Sequence, residues 1–305
     1  MNRAMRAISL GLQQARNRIR AARLRSDWRK RNAATKDSVD TDYLKPLRSR
    51  CRYCESATSR LLGKVPLTFR QALTLGDYRL AQCEACEVVY LDPEPPPDDL
   101  RALYVGSSQF PDARDLLNAQ SARTAKSYER RLQYLDLLPG PGDAILEVGA
   151  GPAWVCRAAK KRCPDVTTIA QDISDECAAD CPWVDNYIVG DLARLPPQRS
   201  IRLAALTHVI EHLPRPQAFL QDLAAYMAPG GKVYITAPFR PARWNSEDGF
   251  GPWLDYSYLH VPAHISYLSG KWMRAAAAES GFEVIRWDAS IDGYQVFETV
   301  LQRLG

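Results

Sequence analysis

Four of the eight cysteines stand in two Cys-x-x-Cys units, Cys51/Cys54 and Cys83/Cys86, with 28 residues between the units. Two such knuckles can bring four thiolates to one tetrahedral centre, the usual ligand set of structural zinc. Iron–sulfur ligation or two redox pairs would use the same residues, but nothing else in the sequence supports them. A closed four-thiolate site has no open position, so Zn2+ there is expected to stabilise a small unit and not to catalyse. All four histidines are also paired, His208/His212 and His260/His264, each at i,i+4 spacing. Imidazole titrates near working pH, so His208, His260 and His264, together with Glu211, are the candidate proton acceptors. His212 is expected to brace the turn that it begins with Glu211. No cysteine, serine or lysine constellation points to a covalent route, and Cys156, Cys163, Cys177 and Cys181 are expected to be free thiols.

His208-x-x-Glu211-His212 has the spacing of an inverted zinc-protease motif. That chemistry needs a continuous helix, whereas this segment starts at the end of an apolar strand and meets Pro214 and Pro216 within a few residues. A second constellation is more informative. Ala144-Ile145-Leu146-Glu147-Val148-Gly149-Ala150-Gly151-Pro152 reads as a buried strand entering a glycine turn, with a helix to follow. Glycine lets the backbone turn tightly and approach a ligand without a Cβ in the way. A second acid, Asp172, follows the next strand, 21 residues beyond Gly151, where it can accept hydrogen bonds from ribose hydroxyls. A pyrophosphate-binding turn would carry a third glycine in G-x-G-x-x-G, but position 154 is Trp. The expected ligand is therefore a nucleoside without a pyrophosphate to seat.

The elements that must position these groups can be read from residue 141 onward. Strand candidates are Ala144–Val148, Thr167–Ala170, Asn186–Val189, Leu203–Thr207, Lys232–Thr236, Phe282–Trp287 and Gln295–Val300, with helical runs at 153–162, 216–227 and 270–280. Short apolar strands alternating with helices specify an α/β fold, a mostly parallel sheet covered on both faces. Ligands in such sheets bind beyond the carboxyl ends of the strands, which puts His208 beside the expected crevice. Between Pro238 and Ser269 lies a long insertion with Trp244, Trp253, Tyr256, Tyr258 and Tyr267, and a loop of that length is expected to cover a site.

Ahead of this unit, Val65–Phe69 and Val88–Leu91 are strand candidates around the cysteine pairs, and Pro95-Pro96-Pro97 marks a rigid boundary. Residues 98–138 read as helical. The net charge of +5 is uneven: residues 1–36 hold eleven Lys or Arg and one acid, Asp27, so the rest of the chain is mildly acidic. Residues 6–25 read as a basic helix suited to an anionic surface or a partner; Arg-rich, acid-poor composition also suits a mitochondrial transit segment. There is no run of 18 apolar residues and no apolar stretch after Met1, so neither a membrane span nor a secretory signal is expected, and a reduced, cytoplasmic protein fits the cysteine usage. The expected division is a basic extension (1–36), a four-cysteine zinc-binding domain (37–97), a helical linker (98–140) and a main α/β domain (141–305).

Taken together, these motifs resemble those of class I S-adenosylmethionine-dependent methyltransferases. Glu147-x-Gly149-x-Gly151 looks like their first motif, Asp172-Ile173-Ser174 their second, and Gly190-Asp191-Leu192 their third, where the acid meets the adenine amine. His208-Val209-Ile210-Glu211-His212-Leu213 and Met227-Ala228-Pro229-Gly230-Gly231 are similar to the fourth-strand and post-helix signatures. The resemblance implies a Rossmann-like seven-stranded sheet, S-adenosylmethionine as methyl donor, and Glu147, Gly149, Gly151, Asp172, Asp191 and His208 around it. Cys83-Glu84-Ala85-Cys86 through Asp92-Pro93 resembles the zinc-binding domain ahead of sugar C-methyltransferases, which remove an acidic C–H proton; Tyr104-Val105-Gly106-Ser107-Ser108 matches their tyrosine-rich stretch only in part. The expected activity is methyl transfer to a small polar metabolite, such as a sugar or a glycan or secondary-metabolite intermediate. The alternatives are an RNA or protein methyltransferase that grips its substrate with the basic arm and zinc unit, and a non-catalytic binding protein of the same fold.

Overall fold

The computed structural model describes residue 47 and residues 49–65, 78–104, 121–196, 200–289 and 295–305. The basic segment 1–36, with the helix expected over 6–25, lies outside the described residues, as do positions 66–69 and 105–120.

The larger sheet has seven strands: β4 (Ala144–Val148), β5 (Thr167–Asp172), β6 (Asn186–Val189), β7 (Ile201–Thr207), β8 (Met227–Pro238), β10 (Phe282–Asp288) and β11 (Val296–Arg303). Their order is β10-β11-β8-β7-β4-β5-β6. The pairs β7–β8, β4–β7, β4–β5 and β5–β6 are parallel, and β11 runs antiparallel to both β8 and β10. Seven strands in this order, with one reversed, are the class I methyltransferase sheet. The chain moves outward from β4 through β5 to β6, then crosses back to β7 on the other side of β4. That reversal opens a crevice between the carboxyl ends of β4 and β7, the place where open α/β sheets take ligands.

Both faces of the sheet are covered, as the continuous apolar strands require. In β4, Leu146 and Val148 join one core with Leu206, Val233, Leu220, Leu223, Trp272 and Met273. Its neighbour Ile145 faces the other core with Leu203, Ala205, Val155, Ala159 and Leu132. The helices that supply these faces are α2 (Ser121–Tyr134), α3 (Trp154–Arg162), α4 (Pro216–Ala224) and α5 (Gly270–Glu279); a short α1 (Pro97–Ala102) precedes them. Their ends follow local chemistry. Pro216 starts α4, Ser269 caps α5 by accepting from the Trp272 amide at 3.0 Å, and Lys160, Lys161 and Arg162 complement the last turn of α3.

The smaller sheet runs β1-β2-β3-β9, all antiparallel, from β1 (Ser59–Lys64), β2 (Arg79–Cys83), β3 (Val89–Asp92) and β9 (Ser266–Tyr267). Its fourth strand comes from the 238–269 insertion, so the cysteine unit and the main domain share one sheet. The Trp272 indole also donates to Tyr53 O at 3.0 Å, and the Ser269 hydroxyl donates to Cys86 O at 2.5 Å, both buried. These contacts fasten the knuckles to the start of α5.

All seven expected main-sheet strands form, with β8 starting ahead of Lys232, at Met227. Of the strand expected at Val65–Phe69 all but Val65 lies outside the described residues; β1 at Ser59–Lys64, just ahead of it, is a strand that the sequence pattern did not show. Arg60, Gly63 and Lys64 obscure its apolar pattern; pairing with β2, and Phe250 packed against Gly63, give it its place. The aromatic insertion also has a structural part that its expected role as a cover did not include. Trp244, Trp253, Tyr256 and Tyr267 are buried in a core with Leu62, Leu80, Val89 and Leu91 of the small sheet. Among the described residues no helix is long and apolar enough to cross a membrane.

Candidate active site and cysteine centre

The glycine turn after β4 is shaped by close approach. Gly149 has φ 57°, and a Cβ there would meet Val209 Cγ2 at 2.5 Å. Gly151 has φ 46° with nothing within 4 Å of where a Cβ would stand, so the space above it is open. The turn's carbonyls are held from behind: the Tyr187 hydroxyl donates to Gly151 O at 3.0 Å and the Trp183 indole to Ala153 O at 2.9 Å. Asp172, at the end of β5, accepts from the Gly151 amide at 2.8 Å and from the Ser174 amide at 3.0 Å. It therefore fixes the turn while retaining lone pairs for a ligand hydroxyl. Asp191 is exposed beyond β6, following Gly190, whose carbonyl accepts from Gln171 Nε2 at 2.5 Å.

Glu147 faces inward. Its carboxylate is 3% exposed and accepts from the Cys156 amide at 2.8 Å, at the start of α3. Burial pushes its carboxyl up to about 7, against the hydrogen bonds from Cys156 and Val155 that favour the anion. Its contribution to the crevice is to set the helix start behind the turn. Nothing in the sequence singles out Gln171, Trp183 and Tyr187, because their roles depend on where β5 and β6 run relative to the turn.

Across the crevice, His208 ends β7 with φ 57°, a conformation uncommon outside glycine, and its amide donates to Thr236 O at 2.9 Å. Its side chain is exposed and stacks on Tyr258, with ring centroids 5.9 Å apart and planes 13° apart. Val209 touches the glycine turn, so this backbone kink joins the two sides. The next turn, Ile210–His212, carries Glu211, which is fully buried, and His212. His208 Nδ1 lies 3.4 Å from Glu211 Oε1, and His212 Nε2 lies 3.8 Å from the same atom.

The second histidine pair arrives from the insertion. His264 is buried and donates from Nδ1 to Tyr258 O at 2.8 Å; its ring lies 4.9 Å from those of both His212 and His260. Burial pushes His264 down to about 3, so it remains neutral near pH 7. It is thus poorly suited to collect a proton; burial lowers His260 as well, whereas the His208 side chain is exposed. Burial alone would push Glu211 up, but the neighbouring His212 and His208 imidazoles outweigh it and hold the carboxyl below its ordinary range. Tyr104, from the segment after α1, brings its hydroxyl to 2.7 Å from His212 Nδ1.

Residues 119–286 match the methyltransferase domain family. The chain belongs to that family. Its seven-stranded sheet with β11 reversed fits that assignment. The bifunctional biotin-biosynthesis protein BioHC of Cellvibrio japonicus is 30% identical over 109 residues, which is 34% of this chain and 22% of that protein. Among solved structures, an S-adenosylmethionine-dependent methyltransferase from Mesorhizobium loti is similar with a TM-score of 0.46 and 16% identity, covering 59% of this chain and 100% of that one. The pyocyanin biosynthetic protein PhzM is similar with a TM-score of 0.47 and 20% identity, covering 64% of this chain and 60% of that one.

The family match begins after the cysteine unit, whose geometry stands by itself. Cys51 Sγ lies 3.8 Å from Cys86 Sγ, and Cys54 Sγ lies 3.5 Å from Cys83 Sγ. All four sulfurs lie within 4.8 Å of one another. Disulfides are excluded at these separations, whereas metal–sulfur bonds of about 2.3 Å in a tetrahedron place sulfurs about 3.8 Å apart. The two knuckles share one backbone shape. Glu55 and Glu87, each following the second cysteine, have φ 60° and 63°, and their amides donate to the first cysteine's carbonyl at 2.7 and 2.9 Å. Cys156, Cys163, Cys177 and Cys181 are buried and free.

Proposed function

We propose that the protein transfers a methyl group from S-adenosylmethionine to an oxygen or acidic carbon of a small polar metabolite, with His208 as proton acceptor. The observation that carries this reading is the position of His208. It is exposed at the carboxyl end of β7, one residue from the contact with Gly149, and has the buried Glu211 carboxylate behind its Nδ1. When bound, S-adenosylmethionine supplies an electrophilic methyl group. Asp172 and Asp191 accept from its hydroxyl and amino groups, Gly149 and Gly151 leave room for its close approach, and Glu147 holds the turn in shape. His208 takes the acceptor's proton, and Glu211 orients the imidazole and stabilises its charged form. His260, whose ring stacks 4.9 Å from that of His264, is the next candidate. Positioning provides much of the rate in an in-line transfer, which the strained His208 backbone and the bonded glycine turn favour.

In the same reading, Cys51, Cys54, Cys83 and Cys86 hold Zn2+ as a structural centre, and the shared sheet transmits that order to the 238–269 insertion. The test is incubation of the purified protein with labelled methyl donor and fractionated host metabolites, with macromolecules kept separate. Label in the small-molecule fraction is expected. Label confined to RNA or protein would replace this substrate class with the macromolecular one, and no donor binding by calorimetry would leave a non-catalytic protein of the same fold.

A further inference from the structure

Glu211 presents a problem that its hydrogen bonds do not solve. It is fully buried, yet neither carboxylate oxygen has a hydrogen-bond partner of good geometry. The nearest nitrogens, His208 Nδ1 and His212 Nε2, are 3.4 and 3.8 Å from Oε1. A buried anion without close donors is costly unless a cation meets it.

The histidine tautomers sharpen the problem. His264 Nδ1 lies 2.8 Å from Tyr258 O, and His212 Nδ1 lies 2.7 Å from Ala263 O. A carbonyl only accepts, so both rings carry their proton on Nδ1, and in the neutral ring Nε2 is then a lone pair. For His212, the Tyr104 hydroxyl oxygen lies 2.7 Å from the same Nδ1. One nitrogen of each ring and a carboxylate oxygen therefore converge, all within 4.8 Å of one another, and for His212 the nitrogen facing Glu211 is Nε2. With both rings neutral these groups repel one another, a cost that a cation between them would offset. The backbone holds them together: Ile265 N donates to Glu211 O at 3.0 Å, joining the turn after β7 to the insertion that carries His264.

We propose that Glu211, His212 and His264 bind a divalent transition metal, with the remaining coordination positions open to an oxygen of the methyl acceptor. Two imidazoles and one carboxylate suit Zn2+, Mn2+ or Fe2+ better than Mg2+ or Ca2+, which favour all-oxygen sets. Ring N–H groups anchored on backbone carbonyls are the usual support of metal-binding histidines, because they fix the tautomer and aim Nε2. A divalent ion against one carboxylate leaves net positive charge beside His208. That charge would bind a hydroxyl or carbonyl oxygen and make the acceptor's proton more acidic. With the metal bound this, in place of Glu211's stabilisation of charged His208, drives the proton's loss to His208. The acceptor class is thus a metabolite with an oxygen at, or next to, the methylated atom. This last step rests on the methyl-transfer reading; the metal site does not.

The test uses the full chain as purified. Elemental analysis is expected to find a second metal equivalent beyond the one held by the four thiolates. Mn2+ added to the same protein should be bound, read as loss of the free-ion signal in electron paramagnetic resonance, with a rise in Tm. Glu211→Gln and His264→Gln should each lose the second equivalent and the Mn2+ uptake while retaining the first, with circular dichroism confirming the fold. Wild-type protein that takes up no Zn2+, Mn2+ or Fe2+ at millimolar concentration overturns the proposal, whether or not the variants fold. So do folded variants that bind as wild type. Calorimetry with S-adenosylmethionine separates the two readings: donor binding without a second metal defeats the metal site alone, and metal without donor binding defeats the methyl-transfer reading alone.

Discussion

The two sides of the crevice are built on opposite terms. On the glycine side, Asp172 and Glu147 each accept backbone amides, and the carbonyls of Gly151 and Ala153 are met by Tyr187 and Trp183. On the histidine side, a buried carboxylate lies among imidazoles without a close donor. The first side is a finished structure that waits for a ligand to fill a space. The second is a set of groups held together by backbone, whose charge is balanced only with a partner. Satisfied polar networks preorganise, whereas an unsatisfied buried charge marks where something must bind or react.

The largest expected effect that would test this contrast is Gly149→Ala. The new Cβ meets Val209 and requires a left-handed alanine, so a stability loss of about 3 kcal/mol or more is expected in urea unfolding. A near-neutral result would mean that the two sides are not rigidly joined. His208→Gly should do the reverse. Glycine relieves the positive φ, so Tm should hold or rise, while methyl transfer falls by about 100-fold or more through loss of the base. Unchanged turnover would assign the proton elsewhere, with His260 the next candidate.

Glu147 offers a pH-dependent test. Its folded value of about 7 lies above the ordinary carboxylate range, so the folded state holds this proton more tightly than the unfolded chain. That contribution is fully present below the unfolded pKa and is lost as pH rises toward 7, at no more than about 1.4 kcal/mol per pH unit. Stability of the wild type relative to Glu147→Gln should therefore fall as pH rises from about 5 to about 7. Parallel curves would show that the carboxylate is ionised throughout. The smallest expected effect is that of Gly151→Ala. Open space above the residue limits the stability loss to about 1 kcal/mol, but the methyl group enters the donor's space, and calorimetry should show donor binding weakened about tenfold or more. Tight donor binding by this variant would place the ligand away from the turn.

The seven main strands, the glycine turn with its two acids, and the paired cysteines were legible because each is a local pattern. An apolar strand running into glycines, or Cys-x-x-Cys, requires only neighbours in sequence to constrain the backbone. The acid roles were less legible. Glu147 looks like a cofactor contact in the sequence, but its direction depends on where α3 starts behind the strand, and there it meets the Cys156 amide. The aromatic insertion reads as a cover, and Tyr258 does stack on His208, but nothing in the pattern shows that four other rings form the core of the small sheet.

By itself, the sequence determined the class of fold, the glycine turn with its acids, and which four cysteines meet. Their periodicities and spacings act over one or two elements, where the chain has few other options. Only the tertiary structure decided that β9 of the insertion completes the cysteine-bearing sheet and that Tyr104 reaches His212. It alone brought His264 across to Glu211, more than fifty residues earlier in the chain. Such meetings depend on strand order and on the burial that follows it, and the charge left unanswered at Glu211 is their consequence.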